Sequence, residues 1–256
     1  RRRGCLYVLG GYDDEKVLDS LECFDPAIGR WEPLPSMPQR RSFMSVAAVG
    51  DDIYICGGLC KLGTSIAALD RFSLSSRRWL SLQSMVQPRS LACLTAMGGY
   101  LYVVGGCNGE DEIISSMERF CPSQERWTGV FMLPWRCVFG AQAAHSHYLY
   151  VCGGCEGVYS LALATRFNQS TEEWERMPSM RTARSGAAAA ATAVGDIFVC
   201  GGFDHSQHED CDSSMSTGVQ LSSVECFRQC SGAWEQLESM ATHHSFSGSA
   251  VVGDHR

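Results

Sequence analysis

Five glycine pairs, Gly10-Gly11, Gly57-Gly58, Gly105-Gly106, Gly153-Gly154 and Gly201-Gly202, recur along the chain at spacings of 47, 48, 48 and 48 residues. A spacing that constant means one structural unit repeated. Each pair closes a short apolar run (LYVLGG, IYICGG, LYVVGG, LYVCGG, IFVCGG), and a tryptophan follows 20 or 21 residues later in four copies, as Trp31, Trp79, Trp127 and Trp174. In the fifth copy Trp234 comes late. Strand-sized apolar runs repeating at a period near 50 predict a radial β-array, in which each unit buries its faces against its neighbours.

Within the unit, the polar loop after the glycine pair leads to a second run that places Phe24, Phe72, Phe120, Phe167 and Phe227 in one register. The tryptophan strand comes next. A methionine stands five or six residues beyond it (Met37, Met85, Met132, Met180, Met240), usually followed by arginine, and then a small-residue run leads to the next pair. That makes four strands per unit, separated by Gly, Asp, Pro and Ser. The small-residue runs, such as SFMSVAAV and SGAAAAATAV, suit the crowded position nearest the axis, with the tryptophan strand outermost. Ala187 to Ala191 alone would favour a helix, but their register with the other copies predicts a strand. Glycine permits positive φ and close backbone approach, which accounts for the pairs without a ligand. No copy continues into a phosphate-binding pattern. The five tryptophans are expected to pack between units.

Net charge of −7 and scattered basic residues argue against a nucleic-acid partner, and no apolar stretch has the length of a membrane span. The first residues, Arg1 to Arg3 and Gly4, lack the apolar core of a secretion signal, so a cytoplasmic setting is expected. Fourteen cysteines would then be reduced, with Cys56, Cys152 and Cys200 filling equivalent strand positions. Cys152-x-x-Cys155 has no second pair at zinc spacing, and His205, His208 and Cys211 lie in a polar insertion read as a solvated loop. No metal or cofactor is expected. Nor is a carboxylate pair or a Ser/Cys nucleophile with its base legible, so the chain is read as a non-enzyme.

Taken together, the glycine pair, the Glu-x-Phe of Glu22, Glu118 and Glu225, the spaced tryptophan and the Met-x-x-x-Arg closely resemble the kelch repeat along the whole chain. The resemblance implies an all-β, kelch-type β-propeller of four-stranded blades occupying residues 1–256 as a single domain. Its units fall at about 1–36, 37–84, 85–131, 132–179 and 180–239, with a final inner strand in 240–256. Six blades are usual in the kelch-like group, so a partial six-bladed ring is expected, a closed five-bladed ring being the alternative. Departures are Asp70 and Thr165 at the glutamate position, Trp135-Arg136-Cys137 where Pro-Arg-Ser is commoner, and His243-His244 where arginine is expected.

In kelch-like proteins the loops after the glycine pair and the arginine-serine position form the partner-binding face. The resemblance therefore nominates Tyr12, Arg41, Ser42, Arg89, Ser90, Asn108, Arg136, Arg184, Ser185, Phe203 and Ser245. Two roles for the arginines stay open: a ring of guanidinium groups receiving a carboxylate or phosphate, or braces paired with acids between blades. The loops add an acidic rim through Asp13-Asp14-Glu15, Glu110-Asp111-Glu112, Glu209-Asp210 and Asp212. The function implied is protein or peptide recognition at one mouth, as the substrate-recognition propeller of a BTB-kelch adaptor for a cullin-RING ubiquitin ligase. Cullin would be reached only through BTB and BACK portions outside this chain. A cytoskeletal, actin-associated scaffold is the alternative, and a propeller enzyme a third.

Overall fold

A computed structural model describes residues 4–60, 62–109, 112–205 and 218–246. All of its regular structure is β. Four antiparallel sheets repeat one up-and-down order. The second sheet runs Ser45–Val49, Asp52–Cys56, Leu69–Ser73, Arg78–Ser81, and the third Cys93–Met97, Tyr100–Val104, Ser116–Cys121, Arg126–Met132. The fourth runs Ala141–His145, Tyr148–Cys152, Ala164–Asn168, Glu173–Arg176, and the fifth Ala188–Ala191, Ile197–Cys200, Val224–Arg228, Ala233–Leu237. The first has three described strands, Leu6–Leu9, Leu21–Asp25 and Arg30–Leu34. The expected closing strand lies almost wholly beyond the described residues, as do His208 and Cys211.

Small-residue strands are the inner ones. Those of the second, third, fourth and fifth sheets lie side by side in that order. Short polar links tie them: Ser45 Oγ donates to Ala92 O at 2.6 Å, Cys93 Sγ to Gly140 O at 2.8 Å, and Thr95 Oγ1 to Gln142 Oε1 at 2.7 Å. The alanine run is strand over Ala188–Ala191, because packing beside its neighbours outweighs helix propensity.

Between sheets the core is layered, with Phe72, Phe120 and Phe167 fully buried. Each registered phenylalanine meets the tryptophan of its own sheet, Phe72 with Trp79 at 5.0 Å and Phe120 with Trp127 at 5.2 Å. The indole N–H groups reach back to the preceding sheet: Trp79 to Pro35 O, Trp127 to Gln83 O and Trp234 to Pro178 O, at 2.7–2.8 Å. They are thus seam pins as well as packing groups. Trp31 departs from the core expectation, being half exposed. Glycine is required where seams close: a Cβ on Gly57 (φ 62°) would sit 2.1 Å from Arg89 O.

The third sheet's outer strand carries a β-bulge, where Arg119 opposes Gly129 but Phe120 opposes Trp127. The shift stays within the sheet, since Leu133 follows Trp127 by six residues as Met85 follows Trp79. Leu133, donating to Ser115 O, takes the place that Met85 and Met180 hold against Ala67 O and Ala162 O, and Met132 is left exposed.

Candidate functional site

Arg41, Arg89 and Arg184 are completely buried. The backbone of each is held by the preceding sheet's loop: Arg89 N donates to Ile66 O and Arg89 O accepts from Gly58 N at 2.8 Å. Its side chain enters the following sheet, Nη1 donating to Gly105 O at 2.9 Å and Ser116 O at 2.7 Å, and Nη2 to Ser116 Oγ at 2.6 Å and Glu118 Oε1 at 3.1 Å. Glu118 also accepts from the Val86 and Gln87 amides. Arg184 repeats the pattern with Gly201 O, Ser223 and Glu225, and Arg41 with Gly57 O and Asp70. Burial pulls the Arg89 pKa down, opposed by the Glu118 charge. The three guanidinium groups are therefore braces. Each is paired with a carboxylate of the following sheet, and Nε of Arg41 and of Arg184 is buried without a hydrogen-bond partner.

Arg136 stands outside this set of braces. Cys137 occupies the brace position, ten residues after Trp127 as Arg89 is after Trp79: Cys137 O meets Gly106 N, and its thiol lies 3.6 Å from Gly153 O, where the arginines place Nη1. Opposite it stands Thr165, buried in the position of Asp70, Glu118 and Glu225. Losing the cation and the carboxylate together avoids an unpaired buried charge. The same seam holds Trp135 and Trp174 edge to face at 5.8 Å, with the Trp174 indole N–H unpartnered. Exposed Arg136 joins Asn108 and Glu112 around a small cleft of about 310 Å³, whose apolar wall is Val130 and Met132.

The nominated serines are spent on scaffold too. Ser42, Ser90 and Ser185 are buried and bridge to Leu59, Cys107 and Phe203, the residues just after glycine pairs. Ser65 Oγ donates to Ser90 Oγ at 2.9 Å, and Ser160 Oγ lies 3.3 Å from Ser185 Oγ. Ser245 accepts from Gln220. Ser160 Oγ also stands 3.0 Å from His205 Nδ1, the geometry of a nucleophile and base. Its donation to Phe203 O repeats that of Ser65 to Cys107 O, where no histidine is present, so the contact belongs to the clasp. Asn108 closes its own loop through Glu112, and the Tyr12 hydroxyl bonds Asp14 O.

Of the residues after each serine position, Phe43 and Phe246 face outward, Leu91 and Phe139 are half-buried and Gly186 is buried. Phe43, Leu91, Phe139 and Phe246 all adopt left-handed backbone, at φ 51°, 55°, 58° and 51°, and Gly186 takes the same place at 60°. For bulky side chains that region is strained. Leu91 N donates to Phe43 O, Gly186 N to Phe139 O and Phe246 N to Gly186 O, linking neighbouring turns at the end of the inner strands. Phe43 is 59% and Phe246 61% exposed. Phe246 meets Phe139 at 5.1 Å and the nominated Phe203 at 5.6 Å. This apolar crown escaped the sequence reading, although its signal was present: an aromatic or leucine directly after the expected Arg-Ser, in a turn. A second arginine register, Arg71, Arg119 and Arg166, also escaped it. These bind Glu125 (3.1 Å), Glu172 (2.6 Å) and Glu175 (2.7 Å), and Arg166 lies over Tyr148 at 4.2 Å.

Several thiols are shifted by their surroundings. Cys56, Cys93 and Cys152 are pushed up to about 12 by desolvation, whereas Cys60, on an outer loop, is lowered by backbone N–H groups of Leu62 and Thr64.

The model of the attractin/LZTR1 β-propeller family matches residues 6–255. The chain belongs to this family. A stretch of 66 residues is 33% identical to human Kelch-like protein 33, covering 26% of this chain and 12% of that protein. The matched stretch is thus a small part of that relative. A solved structure titled "Structure of YjhT" superposes with a TM-score of 0.78 at 13% identity, covering 94% of this chain and 86% of that one, which establishes a shared fold. The kelch-type propeller expected from the repeats is the observed fold, and no described helix is long and apolar enough to cross a membrane.

Proposed function

We propose that this propeller is a protein-recognition module whose binding face is the crowned mouth, and that it selects substrates for a BTB-kelch type ubiquitin-ligase adaptor acting in the cytoplasm. The carrying observation is the crown. Left-handed backbone costs an L-residue roughly 1–2 kcal/mol, and an exposed phenylalanine gains little burial in return. Gly186 occupies the same turn without that cost. Phenylalanine at φ 51° and 59% exposure disfavours the isolated fold and provides contact area for a partner. The match to Kelch-like protein 33 supports the adaptor role, with cullin contacted by portions outside this chain.

The test uses the full protein carrying this propeller, native and as Phe43→Asn/Phe246→Asn, in cells with and without cullin inactivation. Partners expected under this reading are lost by the variant, and their turnover slows in the variant and on cullin inactivation alike. Partners retained by the variant would move recognition off the mouth. Partners that are lost but whose turnover ignores cullin would make the propeller a scaffold, actin being the first partner to examine.

A further inference from the structure

The chemistry of the mouth differs from what its arginines suggest in the sequence. Each buried guanidinium is already matched to a carboxylate of the next sheet, so it offers no cation to a ligand. The outward chemistry is the apolar crown within the loops that follow the glycine pairs. Among the described residues of those loops, Asp13, Asp14, Glu15, Glu112, Glu156 and Asp204 face a single cation, Lys16, itself 4.0 Å from Asp13. An apolar centre inside a charged rim is the usual anatomy of a recognition patch, in which the centre holds the partner and the rim sets sign and rate of encounter.

Resting on the recognition role proposed above, we infer that the segment bound at this mouth is cationic: a large apolar side chain seats among Phe43, Leu91, Phe139 and Phe246, and flanking lysine or arginine faces the loop carboxylates. A carboxylate or phosphate ligand is disfavoured twice, by the absence of a free guanidinium from the three brace positions and by the acidic rim. The crown offers a partner side chain aromatic edges and faces to pack on, with Phe139 and Phe246 edge to face at 65°. Rim charges act through partly exposed groups, so their contribution is screened by salt.

The test is selection from a random peptide library displayed on phage, against immobilised propeller, followed by binding kinetics of the enriched peptides. Enriched sequences are expected to carry Phe, Trp, Leu or Met with Lys or Arg within a few residues, and to lack Asp and Glu. Raising NaCl from 0.05 to 0.5 M should slow association about tenfold. The rim variant Asp14→Asn/Glu15→Gln/Glu156→Gln should slow association with little change in dissociation, while Phe43→Asn/Phe246→Asn should speed dissociation at least tenfold. Enrichment of acidic or phosphorylated sequences that still depend on the crown overturns the cationic inference and leaves the recognition role standing. Peptides that bind the crown variant as well as the native protein, or no enrichment at all, overturn that role itself.

Discussion

Replacing Arg89 by methionine keeps the apolar stem and removes the guanidinium from the seam between the second and third sheets. The carbonyls of Gly105 and Ser116, 2.9 and 2.7 Å from Nη1, then lose a buried donor. Glu118 keeps only the Val86 and Gln87 amides, at 2.8 and 3.3 Å, and its charge is left in a site without solvent. Breaking a buried pair by removing one partner costs about 3–5 kcal/mol, and orphaned carbonyls add to it, so a loss of about 4 kcal/mol is expected. For a chain of this size that is roughly 8–16 °C in Tm. Adding Glu118→Gln removes the stranded charge and should recover about 1–2 kcal/mol, a coupling readable in a double-mutant cycle by urea denaturation. The reasoning fails if Arg89→Met costs under 1 kcal/mol, or if the two substitutions add without coupling. Either result would mean that the guanidinium is not holding the seam.

The neutral seam offers the complementary experiment: Thr165→Glu alone buries a carboxylate beneath Cys137 and should destabilise by about 3 kcal/mol, whereas Cys137→Arg/Thr165→Glu should restore most of the loss, as read by thermal unfolding. Phe43→Asn should leave stability unchanged or raise it by up to about 1 kcal/mol, since asparagine tolerates the left-handed region, and a clear loss of stability would show that Phe43 serves the fold. Native-state alkylation at pH 7.5 followed by mass spectrometry should label Cys60 well before Cys56, Cys93 and Cys152, and comparable labelling of Cys152 would contradict the packing described for it.

The repeat was legible because its signals are local and multiply stated. Glycine pairs forced by close approach, as at Gly57 against Arg89 O, and Phe–Trp pairs within a sheet each recur at one spacing, so propensity conflicts such as Ala188–Ala191 were outvoted. The arginines were found but not their direction, because spacing alone cannot tell a guanidinium turned into the next sheet from one turned to solvent. Asp70, Glu118 and Glu225 at one register were the available hint. Arg136 was placed by the motif Met132-x-x-x-Arg136, which stands one residue early: counted from Trp127, Leu133 and Cys137 hold the spacings that Met85 and Arg89 have from Trp79. The crown was hidden by habit of reading, since an exposed phenylalanine in a turn looks unremarkable until its φ is known.

The most direct measurement is a crystal structure of the propeller with a peptide enriched in the library selection. The account predicts an apolar peptide side chain against Phe43, Phe139 and Phe246, basic residues toward the loop carboxylates, and Arg41, Arg89 and Arg184 still paired with Asp70, Glu118 and Glu225. A peptide carboxylate or phosphate seated on any of those three guanidinium groups, with its ion pair opened, would contradict it.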